Sequence, residues 1–247
     1  MESCSSSGLH SPSDPFVRSP PLIPDDLRRR YDVAVEEVRG GGFAWSLLVV
    51  RDTNRLLDAI DPAAFAADER LPYWADLWSS AIALASHLRI RPGLAQARVL
   101  ELGCGTGLAG IAAAQAGARV VMTDYEEDAL RFARANADIN LDVAARGRVT
   151  AELLDWRTPC AAGAFDLVLG ADIVYDRVNF PLLLDLFRAT LPPRGVALLA
   201  DPDRAIGRDF LRAAEGSGFV VTRTRTEASR NGKTSRVVIG ELRREET

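Results

Sequence analysis

Val99-Leu-Glu-Leu-Gly-Cys-Gly-Thr-Gly-Leu108 is the stretch whose reading decides the fold. Val99, Leu100 and Leu102 form a short apolar run of strand type, and Gly103, Gly105 and Gly107 follow at alternate positions. A buried strand therefore runs straight into a glycine loop and on into a helix, an arrangement that lets backbone amides approach a ligand without side-chain obstruction. Glu101 puts an acid at the last inward position of that strand. Gly105-Thr-Gly107-Leu-Ala-Gly110 also satisfies the spacing used for dinucleotides, with Asp124 about twenty residues on. The glycines alone leave both ligands open, and Glu101, which sits poorly beside a pyrophosphate, separates them.

Outward from this stretch, strands and helices alternate with short connections. Strands are predicted at 97–102, 118–123, 148–154, 165–170 and 195–200, and helices at 107–116, 126–141, 180–191 and 205–215. That rhythm predicts a parallel sheet covered on both faces, with the uncharged run Leu167-Val-Leu-Gly170 near its centre. It breaks at the end, where 219–225 and 235–242 read as two strands joined through Asn231-Gly232, a hairpin turn. Upstream, Val33–Val38 and Phe43–Val50 flank Gly40-Gly-Gly42 and predict a further hairpin, and Ser79–Leu88 reads as a helix behind a serine cap with Ala81, Leu84, Ala85 and Leu88 on one face. His87 on that helix reads as structural. The serine- and proline-rich residues 1–24, which include His10, read as a disordered leader, residues 25–92 as an extension, and 93–247 as the main domain.

The 247 residues carry a formal net charge of -4, which argues against a polyphosphate-gripping protein and disfavours nucleic acid as a partner. Lys233 is the single lysine, so the run Arg223, Arg225, Arg230, Lys233, Arg236 belongs to a chain-wide arginine bias and reads as a solvated strand face. Three cysteines, Cys4, Cys104 and Cys160, lack paired spacing, which excludes a disulfide framework or metal cluster and suits a reducing, cytoplasmic setting. No apolar run reaches the ~18 residues of a membrane span. A monomer is the expected assembly.

Glu101 at the strand end suits a cationic amino group, which S-adenosylmethionine carries in its amino-acid moiety. Asp124 ends the second strand, where a carboxylate can accept both hydroxyls of a ribose, or can cap the helix that follows. Asp155 and Trp156 end the third, where they offer an acceptor and an apolar surface to adenine, or form a surface turn. Asp172 and Tyr175, in Gly170-Ala-Asp-Ile-Val-Tyr-Asp176, follow the fourth strand at the substrate edge of the sheet; the alternative is a capping Asp172 and a core Tyr175.

Pro72-Tyr-Trp-Ala-Asp-Leu-Trp78, Val99 to Gly107, Asp172-Ile-Val-Tyr175 and Ala200-Asp-Pro-Asp-Arg204 together resemble methyltransferase family 16, the seven-β-strand protein-lysine methyltransferases. Within it, the likeness is to the branch, with bacterial relatives, that acts on the β subunit of electron-transfer flavoprotein. The resemblance implies a Rossmann-like class I fold, mostly parallel with an antiparallel end, and S-adenosyl-L-methionine as cofactor. It implies Asp172 and Tyr175 as the lysine motif, Glu101, Gly103 and Asp124 as cofactor contacts, and Trp78 as an aromatic packed near it; Gly105, Gly107, Asp155 and Trp156 complete the cofactor set by their own positions in the glycine loop and after the third strand. Trp74 reads as core. The family's glycine after Asp-Pro is Asp203 here.

Two other readings stand beside this one. A methyltransferase acting on a small molecule or nucleic acid shares the cofactor half, although Ile173 and Val174 replace the prolines usual in base-amine enzymes. A cofactor-binding interaction protein with little turnover is the other.

Overall fold

The computed structural model describes residues 23–58, 60, 71–158 and 164–244. The expected leader, apart from Ile23 and Pro24, lies outside them, as do Cys4, His10 and Cys160. In chain order the elements are α1 (Asp25–Arg30), β1 (Val33–Gly40), β2 (Phe43–Val50), α2 (Asn54–Asp58), a 3₁₀ turn (Tyr73–Ala75) and α3 (Ser79–Ile90). Then follow β3 (Arg98–Leu102), α4 (Leu108–Gln115), β4 (Arg119–Asp124), α5 (Glu127–Asn140), α6 (Val143–Arg146) and β5 (Val149–Leu153). The chain continues through β6 (Leu167–Ala171), α7 (Asn179–Thr190), β7 (Val196–Asp201), α8 (Ala205–Glu215), β8 (Phe219–Arg230) and β9 (Lys233–Arg244).

Seven strands form one sheet in the order β5-β4-β3-β6-β7-β9-β8. The first five are parallel, and β9 is antiparallel to both β7 and β8. Strands buried on both faces alternate between two cores, as the pleat requires. Val99 of β3 and Val196, Leu198 and Ala200 of β7 pack with α3, α4 and α5. Leu100, Leu102, Ala197 and Leu199 pack with α7 and α8 on the opposite side.

The N-terminal hairpin is fixed to the sheet by two amides one helical turn apart on α5. Asn136, fully buried, accepts from Leu48 N at 2.6 Å and donates to Leu48 O at 3.1 Å. Asn140 does the same for Ser46, at 3.0 and 2.8 Å. The outer edge of β2 is thereby satisfied as a neighbouring strand would satisfy it. Trp45 of β2 is buried in the same core as α3 and α4, its indole donating to Gln115.

Several expectations change in detail. Ser79 does not cap α3: the N-cap position is Trp78, in extended conformation, with no side-chain cap hydrogen bond. The Ser80 hydroxyl is directed elsewhere, onto Asp172. Ala81 is only partly buried, and Ile82 and Ala83 join the core because hairpin and sheet cover α3 from different sides. The terminal strands run to the turn itself, where Asn231 and Gly232 both have positive φ, 51° and 75°; their polar outer residues hide the pairing from the sequence pattern. Arg223, Arg225, Lys233 and Arg236 are exposed as expected, whereas Arg230 is half-buried.

Candidate functional site

The order in which successive strands join the sheet reverses between β3 and β6, which remain parallel, and open α/β sheets hold ligands outside the carboxyl ends of their strands at such a switch point. The loops after β3, β4, β5 and β6 meet there with the segment 73–78 to line a cleft. Its acidic lining residues are Asp76, Glu101, Asp124 and Asp172, and among the described residues no basic one lines it.

Of the residues named from sequence, Trp78, Glu101, Gly103, Gly105, Asp124, Trp156, Asp172 and Tyr175 line the cleft. Gly107 and Asp155 are not among its lining. Gly107, at φ 79°, starts α4 against α5, where a Cβ would stand 3.0 Å from that of Ala133. The Asp155 carboxylate pairs with Arg157 in the turn after β5. Trp74 serves both roles, lining the cleft and packing on Tyr31 and Phe132.

Glu101 is buried, and Gly110 N donates to its Oε2 at 3.0 Å from the first turns of α4. A side chain at position 110 would collide with that oxygen, so the last glycine of the dinucleotide-like spacing makes room for an acid. Burial raises the Glu101 pKa to about 8, opposed by the Gly110 and Ala109 amides and reinforced by Asp124. Asp124 accepts from Gly105 N at 3.0 Å and from Glu126 N at 3.1 Å, bracing the glycine loop rather than capping α5, whose N-cap is Glu126. Burial raises its pKa as well. Gly103 has φ 58°, and a Cβ there would lie 3.0 Å from Ile173 and 3.5 Å from the Trp156 ring.

Asp172 leaves β6 with φ 61°, its amide held by Ala200 O at 2.8 Å and its side chain 6% exposed. The carboxylate is shared: Oδ1 accepts from Arg204 Nη2 and Oδ2 from Ser80 Oγ at 3.2 Å. Arg204 also donates from Nε and Nη2 to Asp201 Oδ2 at 3.0 and 2.8 Å. Two carboxylates thus flank one guanidinium. Burial holds the Asp172 carboxyl above its usual range, with Arg204 pulling the other way and Asp201 pushing it up. Tyr175 is 42% exposed, so it is not a core residue. Burial, and then Asp124, raises its phenol, which therefore stays neutral.

Sequence reasoning gave no role to Arg204, Ser80 or Tyr73. Arg204 stood three residues after Asp201 in a quoted motif, Ser80 was absorbed into a supposed cap, and Tyr73 stood inside Pro72-Tyr-Trp74. Asp203, where the family has glycine, adopts φ 56°, the left-handed conformation that glycine takes freely and Asp tolerates. The substitution leaves the turn that aims Arg204 intact.

Strand order, antiparallel end and ligand edge define the seven-stranded class I methyltransferase fold. A solved structure with that fold, magnesium protoporphyrin IX methyltransferase of Synechocystis PCC 6803 with bound S-adenosylmethionine, superposes with a TM-score of 0.54 at 20% identity. The likeness covers 79% of this chain and 98% of that one. Residues 71–215 match the family described as lysine methyltransferase, and the chain belongs to that family. Protein N-lysine methyltransferase METTL21A of Danio rerio is 42% identical over 120 residues, covering 47% of this chain and 55% of the relative. Electron transfer flavoprotein beta subunit lysine methyltransferase of Xenopus laevis is 34% identical over 141 residues, covering 54% of each. The chain spans about half the length of these curated relatives.

Proposed function

We propose that this chain is an S-adenosylmethionine-dependent methyltransferase that modifies lysine side chains of a protein. One observation carries the reading: a glycine-loop cleft lined by four acids, Asp76, Glu101, Asp124 and Asp172, and, among the described residues, by no base. Asp172 and Asp76 are paired with Arg204 and Arg230, and buried Glu101 holds its proton to about pH 8, yet among the described residues no cation lines the cleft, so a pyrophosphate would find no counter-charge there, whereas a sulfonium, an α-ammonium and a lysine ammonium can each be met by a carboxylate.

Glu101 suits the amino group of the cofactor, Asp124 the ribose hydroxyls and Trp156 the adenine, with Gly103 and Gly105 admitting the ligand close to the backbone; Trp78 stands at the rim. Gly107 acts through the start of α4. Asp155 reaches the adenine amine only if its pairing with Arg157 opens. When bound, S-adenosylmethionine supplies a methyl group that passes from sulfur to the lone pair of a neutral amine, the S–C bonding electrons staying on sulfur. Asp172 receives the ammonium first. Its oxygens keep lone pairs beyond those facing Arg204 and Ser80, and the Asp172–Arg204–Asp201 group carries one net negative charge, so it can orient an amine and take up its proton. Neutral Tyr175 orients the nitrogen.

Lysine as acceptor follows from family membership together with this arrangement. The β subunit of electron-transfer flavoprotein is one candidate owner of that lysine, through the 34% identical relative. We place the enzyme in the cytoplasm, with residues 93–247 as the transferase domain and 25–92 as an extension that completes its core. Among the described residues no helix is long and apolar enough to cross a membrane. Purified protein incubated with radiolabelled S-adenosylmethionine and a cell extract should label a protein band, and Asp172→Ala should lose it. No band, or one unaffected by Asp172→Ala, overturns the reading.

A further inference from the structure

Three aromatic side chains stand exposed at the mouth of the cleft, Tyr73 at 44%, Trp78 at 39% and Tyr175 at 42%. They form one cluster. Tyr73 is at its centre, its ring 5.8 Å from Tyr175 and 6.2 Å from Trp78 between centroids, edge to face in both cases. Trp78 Nε1 donates to the Tyr73 carbonyl at 3.0 Å, which occupies the indole's one donor and ties the two residues across the 3₁₀ turn. The floor behind them is acidic and buried: the Asp172 side chain is 6% exposed and Asp124 3%.

Large apolar rings left open to water beside carboxylates suit one kind of ligand, a cation with an apolar shell. An unmethylated ammonium keeps three N–H donors and a strong hydration shell. Each methyl group removes a donor and adds surface that ring faces contact well, while the charge remains to be attracted by the rings and by Asp172. We propose that Tyr73, Trp78 and Tyr175 form a collar that binds methylated ammonium groups, so that an acceptor already carrying methyl groups is held at the mouth for further transfer. The proposal rests on the lysine-methyltransferase reading for its biological ligand, but the collar's chemistry can be measured separately.

The probe is choline, a trimethylammonium, set against its uncharged isostere 3,3-dimethylbutan-1-ol. Each is titrated into the full chain with S-adenosylhomocysteine present to occupy the cofactor end, and binding is read by saturation-transfer NMR and calorimetry. Choline should bind at least about five-fold more tightly than the isostere, the size expected of cation–π contacts. Tyr73→Leu should abolish that preference, and Tyr73→Phe, which keeps the ring, should retain it. Stabilisation by S-adenosylhomocysteine reports that each variant is folded; if Tyr73→Leu is not, wild-type binding of choline against its unmethylated counterpart ethanolamine decides, since the carboxylates attract both cations alike and equal binding of the two overturns the collar. Equal binding of choline and isostere, or an undiminished preference in folded Tyr73→Leu, overturns the collar. Choline preference without S-adenosylhomocysteine binding would leave the collar standing while removing the cofactor reading, and the reverse would remove the collar alone.

Discussion

Asp172 combines burial, a left-handed backbone and a shared carboxylate, and each property bears on what its replacement should do. Asp172→Asn keeps the shape and removes the charge. It should lower the transfer rate by roughly 10²–10⁴ while cofactor binding survives, measured by label incorporation beside calorimetric titration. Arg204 lowers the Asp172 pKa against the effect of burial. Activity that needs the ionised carboxylate falls as pH drops through that pKa, so Arg204→Gln should move the acidic limb of the pH–rate profile to higher pH. An unmoved limb would mean that Arg204 only braces the loop. Glu101 makes a second pH prediction. The folded chain keeps its proton up to about pH 8, whereas the ordinary value is 4.5; the folded state binds more protons across that window, and its stability from this group falls as pH rises through it. A cofactor ammonium that requires ionised Glu101 must displace the proton. Affinity for S-adenosylmethionine should therefore rise on the order of ten-fold between about pH 6 and about pH 7.5, and Glu101→Gln should flatten the rise. Glu101, Asp124 and Asp172 were legible because each ends a strand in an otherwise apolar pattern. Arg204 and Ser80 were not, since their partner comes from elsewhere in the chain and no spacing records it.

At the scale of elements, the connection of hairpin to sheet depends on two side chains. Asn136→Ala orphans buried backbone groups of Leu48 and Thr106 together, and should cost roughly 1–3 kcal/mol in denaturant unfolding and speed amide exchange in β2. If exchange in β2 is unchanged, the hairpin is held by packing of Trp45 and Leu47 instead. The hairpin itself was readable from Gly40-Gly-Gly42 between alternating runs, but its attachment was not, because asparagines inside a helical pattern look like ordinary polar positions. The parallel strands were read to within a residue or two, since burial on both faces leaves an apolar run in the four inner ones, whereas β5, partly exposed at the sheet edge, lacks that pattern. The terminal pair was read short, because its outer half is paired yet polar.

For the whole molecule, a cleft lined by acids in a chain of net charge -4 favours cationic ligands, and the proposed methyl donor and the proposed acceptor are both cations. The sequence could point to this fold because the glycine loop, its acid and the terminal hairpin agree with one another. The acceptor was less legible, because the surface that selects it is assembled from distant segments, the 73–78 rim, the loop after β6 and the turn after β7. The most direct test of the central claim is to locate the transferred group. Purified chain is incubated with trideuteromethyl S-adenosylmethionine and a cell extract, and the products are mapped by peptide mass spectrometry. Trideuteromethyl groups are expected on lysine side chains of a protein and absent with Asp172→Ala; label on arginine, on glutamine or on RNA, or none at all, would contradict lysine transfer.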